Sequence, residues 1–156
     1  MGYRTAKAFK EVKKIVSSEP ILKLPDFRRE IVLFTDASNK SLGACTTHEY
    51  TGVKHPVMYA SKKLLPREQS YSMGERGIGN CVAVNKFHRY LYGKHFILES
   101  DHRPLEYLHA SHSRNPRIMR RSLSLQPYRY TVRDIKGSDN VIADYLGRPT
   151  ASNQLA

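Results

Sequence analysis

Three aspartates stand where apolar or helical runs end or turn over. Asp36 closes the run EIVLFTDAS, Asp101 closes HFILESD, and Asp144 lies in SDNVIADYLGR. Ionised carboxylates offer only oxygen acceptors, so several of them brought together without matching bases hold hard cations such as Mg2+. Two such ions roughly 4 Å apart can activate a water and stabilise the leaving oxygen of a phosphodiester. Spacing alone does not show that the three meet. Each also has an everyday use: Asp36 as a turn or cap residue, Asp101 as a strand exit, Asp144 as a helix-face acid paired with a nearby arginine. The period of two puts Val32, Phe34 and Asp36 on one strand face. Helical spacing groups Val141, Asp144 and Tyr145 on one stripe and predicts Asp144 turned inward toward the sheet. There a lone carboxylate needs a partner or a metal.

Other residue groupings carry less. The stretch SMGERGIGNC holds Gly74, Gly77 and Gly79 just ahead of a helix-like segment. It departs from the G-x-G-x-x-G order, follows no evident strand directly and lacks the Gly-Lys-Ser/Thr of a phosphate loop. Read as helix, it is weakened by about 2 kcal/mol by Gly77 and Gly79 together. His109 and His112 have no Cys or further His at finger-like spacing, so zinc is not indicated. Arg114, Arg117, Arg120 and Arg121, near Asn115, can face one side of a helix and meet phosphates, or simply solvate it. Tyr59, Tyr71, Tyr90, Tyr92, Tyr128 and Tyr130 suit core and sheet packing better than base stacking.

The elements that must position these residues follow from periodicity. Ala6, Phe9, Val12, Ile15 and Val16 recur at helical spacing until SSEP breaks the pattern. Pro25 makes ILKLPDF an extended connector. EIVLFTDAS, SLGACTTHEY and HPVMYASKKL read as three successive strands, with a turn at Thr51-Gly52, and hence an antiparallel meander. A helical stretch from Pro66 to Leu91 ends near Gly93, HFILESD is a fourth strand, and RPLEYLHA is a short helix. RIMRRSLSLQPY is expected to be helical to about Gln126, RYTVRDI to be a fifth strand, and SDNVIADYLGR to be a closing helix capped by Ser138 or Asp139. The predicted order is β-β-β-α-β-α-α-β-α.

With 156 residues and 40% hydrophobic content the chain suits one α/β domain with a closed core. Twenty-six Lys and Arg against fourteen Asp and Glu give a net charge of +12, which favours polyanionic partners, nucleic acid foremost. Cys45 and Cys81 form no CxxC pair, and the amphipathic start lacks the apolar core of a signal peptide, so a reducing, intracellular setting is expected. Met1-Gly2 lacks the Ser or Thr that a myristoylation start wants, since position 6 is Ala6. No run reaches membrane-spanning length.

The words PILKLPDF, LFTDAS, LGA, HPVMYASKKLLPREQSYS, KFHRYLYGKHFILESDHRPLEYL and RIMRRSLSLQPYRYTVRDIKGSDNVIADYLGR run in order along nearly the whole chain. In them it resembles the ribonuclease H domain of gypsy-class LTR retrotransposon reverse transcriptases. The resemblance implies an RNase H-like fold: a five-stranded mixed sheet, its first three strands antiparallel, flanked by helices. It implies endonucleolytic cleavage of RNA in RNA/DNA hybrids with two Mg2+ ions, or Mn2+ in their place, within a polyprotein that also carries a reverse transcriptase polymerase. Asp36, Asp101 and Asp144 are then catalytic metal ligands, and Ser38, His102, Arg103, Arg114, Arg117, Arg120 and Arg121 contact the nucleic acid. Residues 1–26 correspond to the end of the connection segment, 27–148 to the RNase H-like domain and 149–156 to a polar tail.

The family's fourth ligand is usually the second Glu of Tyr-Ser-x-x-Glu-x-Glu. Here the first is kept as Glu75 while Gly77 stands where the second belongs. The interval from Ser72 to Lys86-Phe87 is one residue shorter than the pattern, so the ligand's slot counts back to Arg76. One residue of slippage turns a helical side chain by about 100°. Glu75 is the carboxylate that segment offers as fourth ligand. The departure also admits a catalytically impaired module that binds nucleic acid or serves as an interaction scaffold, or a pseudogene remnant. The chain has no histidine in DIKGSDNV of the kind cellular ribonucleases H use near the last aspartate.

Overall fold

A computed structural model describes residues 2–18, 21–38, 40–66, 78–101 and 116–148, and of these leaves out the side chains of 2–5, 16, 78, 79, 117, 118, 121 and 122. The described elements are helix α1 (Gly2–Val16), strands β1 (Ile31–Ala37), β2 (Ser41–Tyr50) and β3 (Val53–Lys63), helices α2 (Ile78–Lys86) and α3 (His88–Leu91), strand β4 (His95–Ser100), helix α4 (Pro116–Leu123), strand β5 (Arg129–Asp134), a 3-10 turn (Gly137–Asp139) and helix α5 (Val141–Gly147). The expected helix in RPLEYLHA lies outside the described residues.

Among the described residues the strands form one sheet in the order β3-β2-β1-β4-β5. β1, β2 and β3 pair antiparallel. β4 joins β1, and β5 joins β4, in parallel. The meander closes at Thr51 and Gly52, both at positive φ (51° and 79°), the backbone of a two-residue hairpin turn. The sheet is thus the mixed five-stranded one that the sequence predicts.

Its two faces carry two cores. Ile31, Leu33, Ala44, Phe96 and Leu98 pack under α2 and α3 with Val84, Phe87, Leu91 and Tyr128. Val32, Phe34, Cys45 and Ile97 pack with Ala143 of α5, and Tyr59, Ile135 and Leu146 join them. Burial pushes the Cys45 thiol up to about 12, so the group stays protonated. The connector before β1 is anchored by buried His48: its Nε2 accepts the Asp26 N–H at 3.0 Å, which leaves Nδ1 to donate to the Glu30 carbonyl, also at 3.0 Å. No helix among the described residues is long and apolar enough to cross a membrane.

Three expectations need correction. α4 ends at Leu123 rather than near Gln126, because Pro127 disfavours helix in the residue before it and the chain leaves through tight turns, Gln126 N–H to Leu123 O and Tyr128 N–H to Leu125 O. The stretch up to Leu91 is broken at Phe87 into α2 and α3. The cap position of α5 is Asn140, not Ser138 or Asp139, since residues 137–139 form the 3-10 turn.

Candidate functional site at the ends of the central strands

β1 and β4 run parallel with Thr35 opposite Ser100. The next residue in each case is an aspartate, Asp36 still within β1 and Asp101 just past the end of β4, so the two acids leave neighbouring strand ends. Alternation carries Asp36 onto the face of Phe34, which α5 partly covers. Both carboxylates reach the segment 137–147: a Cβ at Gly137 would stand 3.3 Å from Asp101 Oδ2, and one at Gly147 would stand 3.5 Å from Asp36 Oδ2. Glycine at both places leaves room for the two acids.

α5 is held against the sheet by small residues and serines. A side chain at Gly43 would collide with the Ala143 carbonyl and come within 2.6 Å of Gly147 N, so the helix backbone lies directly on β2. The Ser41 hydroxyl donates to the Gly147 carbonyl. That of Ser61 donates to the Leu146 carbonyl at 2.9 Å, and between them the serines satisfy orphan groups of the helix end. At the other end Asn140 Nδ2 donates to the Thr35 carbonyl at 2.9 Å.

This docking corrects the predicted stripe of α5. Val141 and Tyr145 are 64% and 76% exposed, while Ala143 and Gly147, four residues apart, are buried. Close approach to Gly43 selects the smallest side chains for the buried face and turns the large ones to solvent. Asp144 therefore sits half-buried on the flank of the helix, and its Oδ2 accepts from Arg148 Nη2 at 2.5 Å. The everyday reading, a helix acid paired with a nearby arginine, holds for this residue. Arg148 is held above its ordinary pKa chiefly by that hydrogen bond, then by the charge of Asp144, and also by the charge of Asp36. One cation thus feels both carboxylates, which puts Asp36 and Asp144 in one negative neighbourhood.

The acids share an end of the sheet without closing into one cage. Among the described residues no three His, Cys, Asp or Glu side chains come close enough together to make a metal-ligand set. The oxygen donors nevertheless suit a hard divalent ion, and Asp144 already holds one cation, the Arg148 guanidinium. Glu99, the nearest further carboxylate along β4, is excluded as a ligand. It is buried, with Oε2 3.0 Å from Lys54 Nζ and Oε1 2.9 Å from Arg133 Nη1.

Of the other candidates, Glu75, His102, Arg103 and Arg114 lie outside the described residues. Arg117, Arg120 and Arg121 fall in α4, where Arg120 is exposed and the side chains of the other two are not described. Ser38 is engaged in the β1-β2 turn: its Oγ accepts the Ser41 N–H at 3.0 Å and the Lys40 N–H at 3.2 Å. Asn140, whose amide ties β1 to α5, has no distinctive signal in the sequence; an Asn three residues before an Ala-Asp pair is a helix-cap signal at most.

Comparison with known proteins agrees with this frame. Residues 26–128 match the family described as "RNase H-like domain found in reverse transcriptase". The chain is 38% identical over 145 residues to the Retrovirus-related Pol polyprotein from transposon 412 of Drosophila melanogaster, covering 92% of this chain and 12% of that protein. It is 37% identical over 142 residues to the corresponding polyprotein from transposon 297, covering 90% and 13%. The chain therefore spans about an eighth of the length of these relatives. In fold it is similar to prototype foamy virus protease-reverse transcriptase, with a TM-score of 0.65 at 15% identity over 87% of this chain and 19% of that one. It is also similar to LC11-RNase H1, solved in complex with RNA/DNA hybrid, with a TM-score of 0.59 at 13% identity over 81% and 100%. The chain belongs to the RNase H-like domain family found in reverse transcriptases.

Proposed function

We propose that this chain is a retroelement-derived ribonuclease H that hydrolyses the RNA strand of RNA/DNA hybrids endonucleolytically. The observation that carries the reading is the meeting of Asp36 and Asp101 at neighbouring ends of parallel strands, with Asp144 on the helix laid across that end. Asp36, Asp101 and Asp144 would hold two Mg2+ ions, or Mn2+, with Glu75 as the expected fourth ligand. When bound, the ions supply an activated water and charge stabilisation at the scissile phosphate.

The chain's own residues do the rest. An ion at the site would compete with Arg148 for Asp144 Oδ2, and a displaced guanidinium would be free to meet substrate phosphate. Exposed Arg120, with Arg114, Arg117 and Arg121, and with Ser38, His102 and Arg103, which closely follow two of the acids in sequence, would hold the hybrid backbone, and the net charge of +12 draws the polyanion in. Residues 27–148 form the nuclease unit, 1–26 end the connection segment that links it to a polymerase, and 149–156 are a tail. The setting is intracellular.

A second reading has its own support: Gly77 replaces the usual glutamate, and Asp144 is already satisfied by Arg148. On it the chain binds hybrid or duplex and does not cut. Incubating end-labelled RNA in a hybrid with the protein and Mg2+ separates the two. Cutting that Asp36→Asn abolishes supports the nuclease; intact RNA at high protein concentration, with the hybrid still bound, rejects it in favour of the binding module.

A further inference from the structure

We propose that Asn140 is a positioning residue that fixes Asp144 relative to Asp36. The proposal rests on the nuclease reading. Asn140 stands at the cap position of α5, yet its side chain makes no cap bond. It is buried, 1% exposed, and its Nδ2 instead donates to the carbonyl of Thr35, the residue before Asp36. Its own carbonyl accepts the N–H of Asp144 at 3.0 Å, one helical turn on. Two hydrogen bonds thus connect the β1 backbone at Asp36 to the α5 backbone at Asp144.

The surroundings show that this tie is specific. The Thr35 hydroxyl points to the opposite face, where it donates to Oδ1 of buried Asn80 in α2. The buried line Asn80-Thr35-Asn140 pins the start of a helix on each face of the sheet to the strand that carries Asp36. The other amide atom, Asn140 Oδ1, is buried with no partner among the described residues. A buried amide with one atom unsatisfied is an unfavourable filler and a poor cap, so shape or helix capping alone does not account for asparagine here. Its use lies in the one bond that only a donor at that point can make. A shift of about 1 Å at a group bound to reacting atoms is enough to cost a large factor in rate.

Asn140→Leu keeps the approximate size and removes the donor, whereas Thr35→Val keeps the Thr35 carbonyl and removes only the hydroxyl on the other face. The full chain carrying each substitution is measured for Mn2+ binding by electron paramagnetic resonance, for kcat and KM on hybrid, and for hydrogen exchange at the Asp144 and Leu98 amides. For Asn140→Leu the expected results are a Kd for Mn2+ raised at least fivefold, kcat lowered at least tenfold at unchanged KM, and faster exchange at Asp144 with Leu98 unchanged. Thr35→Val, which loosens only the tie to α2, is expected to leave exchange at the Asp144 amide within twofold of the unsubstituted protein. Wild-type Mn2+ affinity and kcat in Asn140→Leu, or exchange accelerated equally at Leu98, overturns the proposal. Asn140→Ser replaces Asn140→Leu should the latter not fold. If the unsubstituted protein neither binds Mn2+ nor cuts, the nuclease reading has failed, and the exchange arm alone decides whether the tie exists.

Discussion

The helices at the two ends of the chain differ in whether they bury a face at all. α1 runs for fifteen residues with an apolar stripe of Phe9, Val12 and Ile15, all more than half exposed. α5 has seven residues, turns Val141 and Tyr145 to solvent, and buries Ala143 and Gly147 against β2. Apolar periodicity identifies both as helices, but it does not say which face is covered. For α5 the covered face is chosen by how closely two backbones can approach, so a methyl group or none outranks an isopropyl or a phenol ring. That close approach seats α5 on β2 and β1, with its C-terminal Gly147 next to the Asp36 carboxylate.

The sharpest way to break this contrast is to deny α5 its close approach. Gly43→Val drives a side chain into the Ala143 carbonyl and Gly147 N, and overpacking of this kind costs about 3 kcal/mol. Urea unfolding is expected to show that loss together with abolished cleavage, because Asp144 moves with the helix. Removing the serines that hold the helix end is milder. Ser61→Ala leaves the Leu146 carbonyl without its donor and is expected to cost about 1 kcal/mol by the same measurement. Weaker again is Arg148→Gln. An exposed i,i+4 ion pair is worth under about 1 kcal/mol, so removing the competing cation is expected to tighten Mg2+ binding by less than about fivefold in calorimetry. At the far end, Phe9→Ser on exposed α1 is expected to change stability by less than about 0.5 kcal/mol.

What the sequence discloses divides along the same line. The three-stranded meander is legible because alternation and the turn at Thr51-Gly52 are local signals. The seating of Asp36 beside Asp101 is not, since it depends on the parallel register of strands more than sixty residues apart; only the family resemblance supplies it. The cap of α5 is not legible because Asn140 gives its amide to a strand rather than to its own helix. The buried face of α5 is not legible either, because hydrophobic spacing ignores a facing Gly43. Glu99 illustrates the converse: a carboxylate on the right strand and face is withdrawn from metal binding by Lys54 and Arg133, which no local pattern announces.

On the proposed function, Asp36, Asp101 and Asp144 would form one cation site, with the ion competing against Arg148 for Asp144. A crystal structure of the full chain soaked in Mn2+, read from the anomalous signal, tests it directly. The expected result is manganese bound by oxygens of all three aspartates, with the Arg148 guanidinium displaced from Asp144 Oδ2. An intact Asp144-Arg148 pair with no manganese at the ends of β1 and β4 would contradict it.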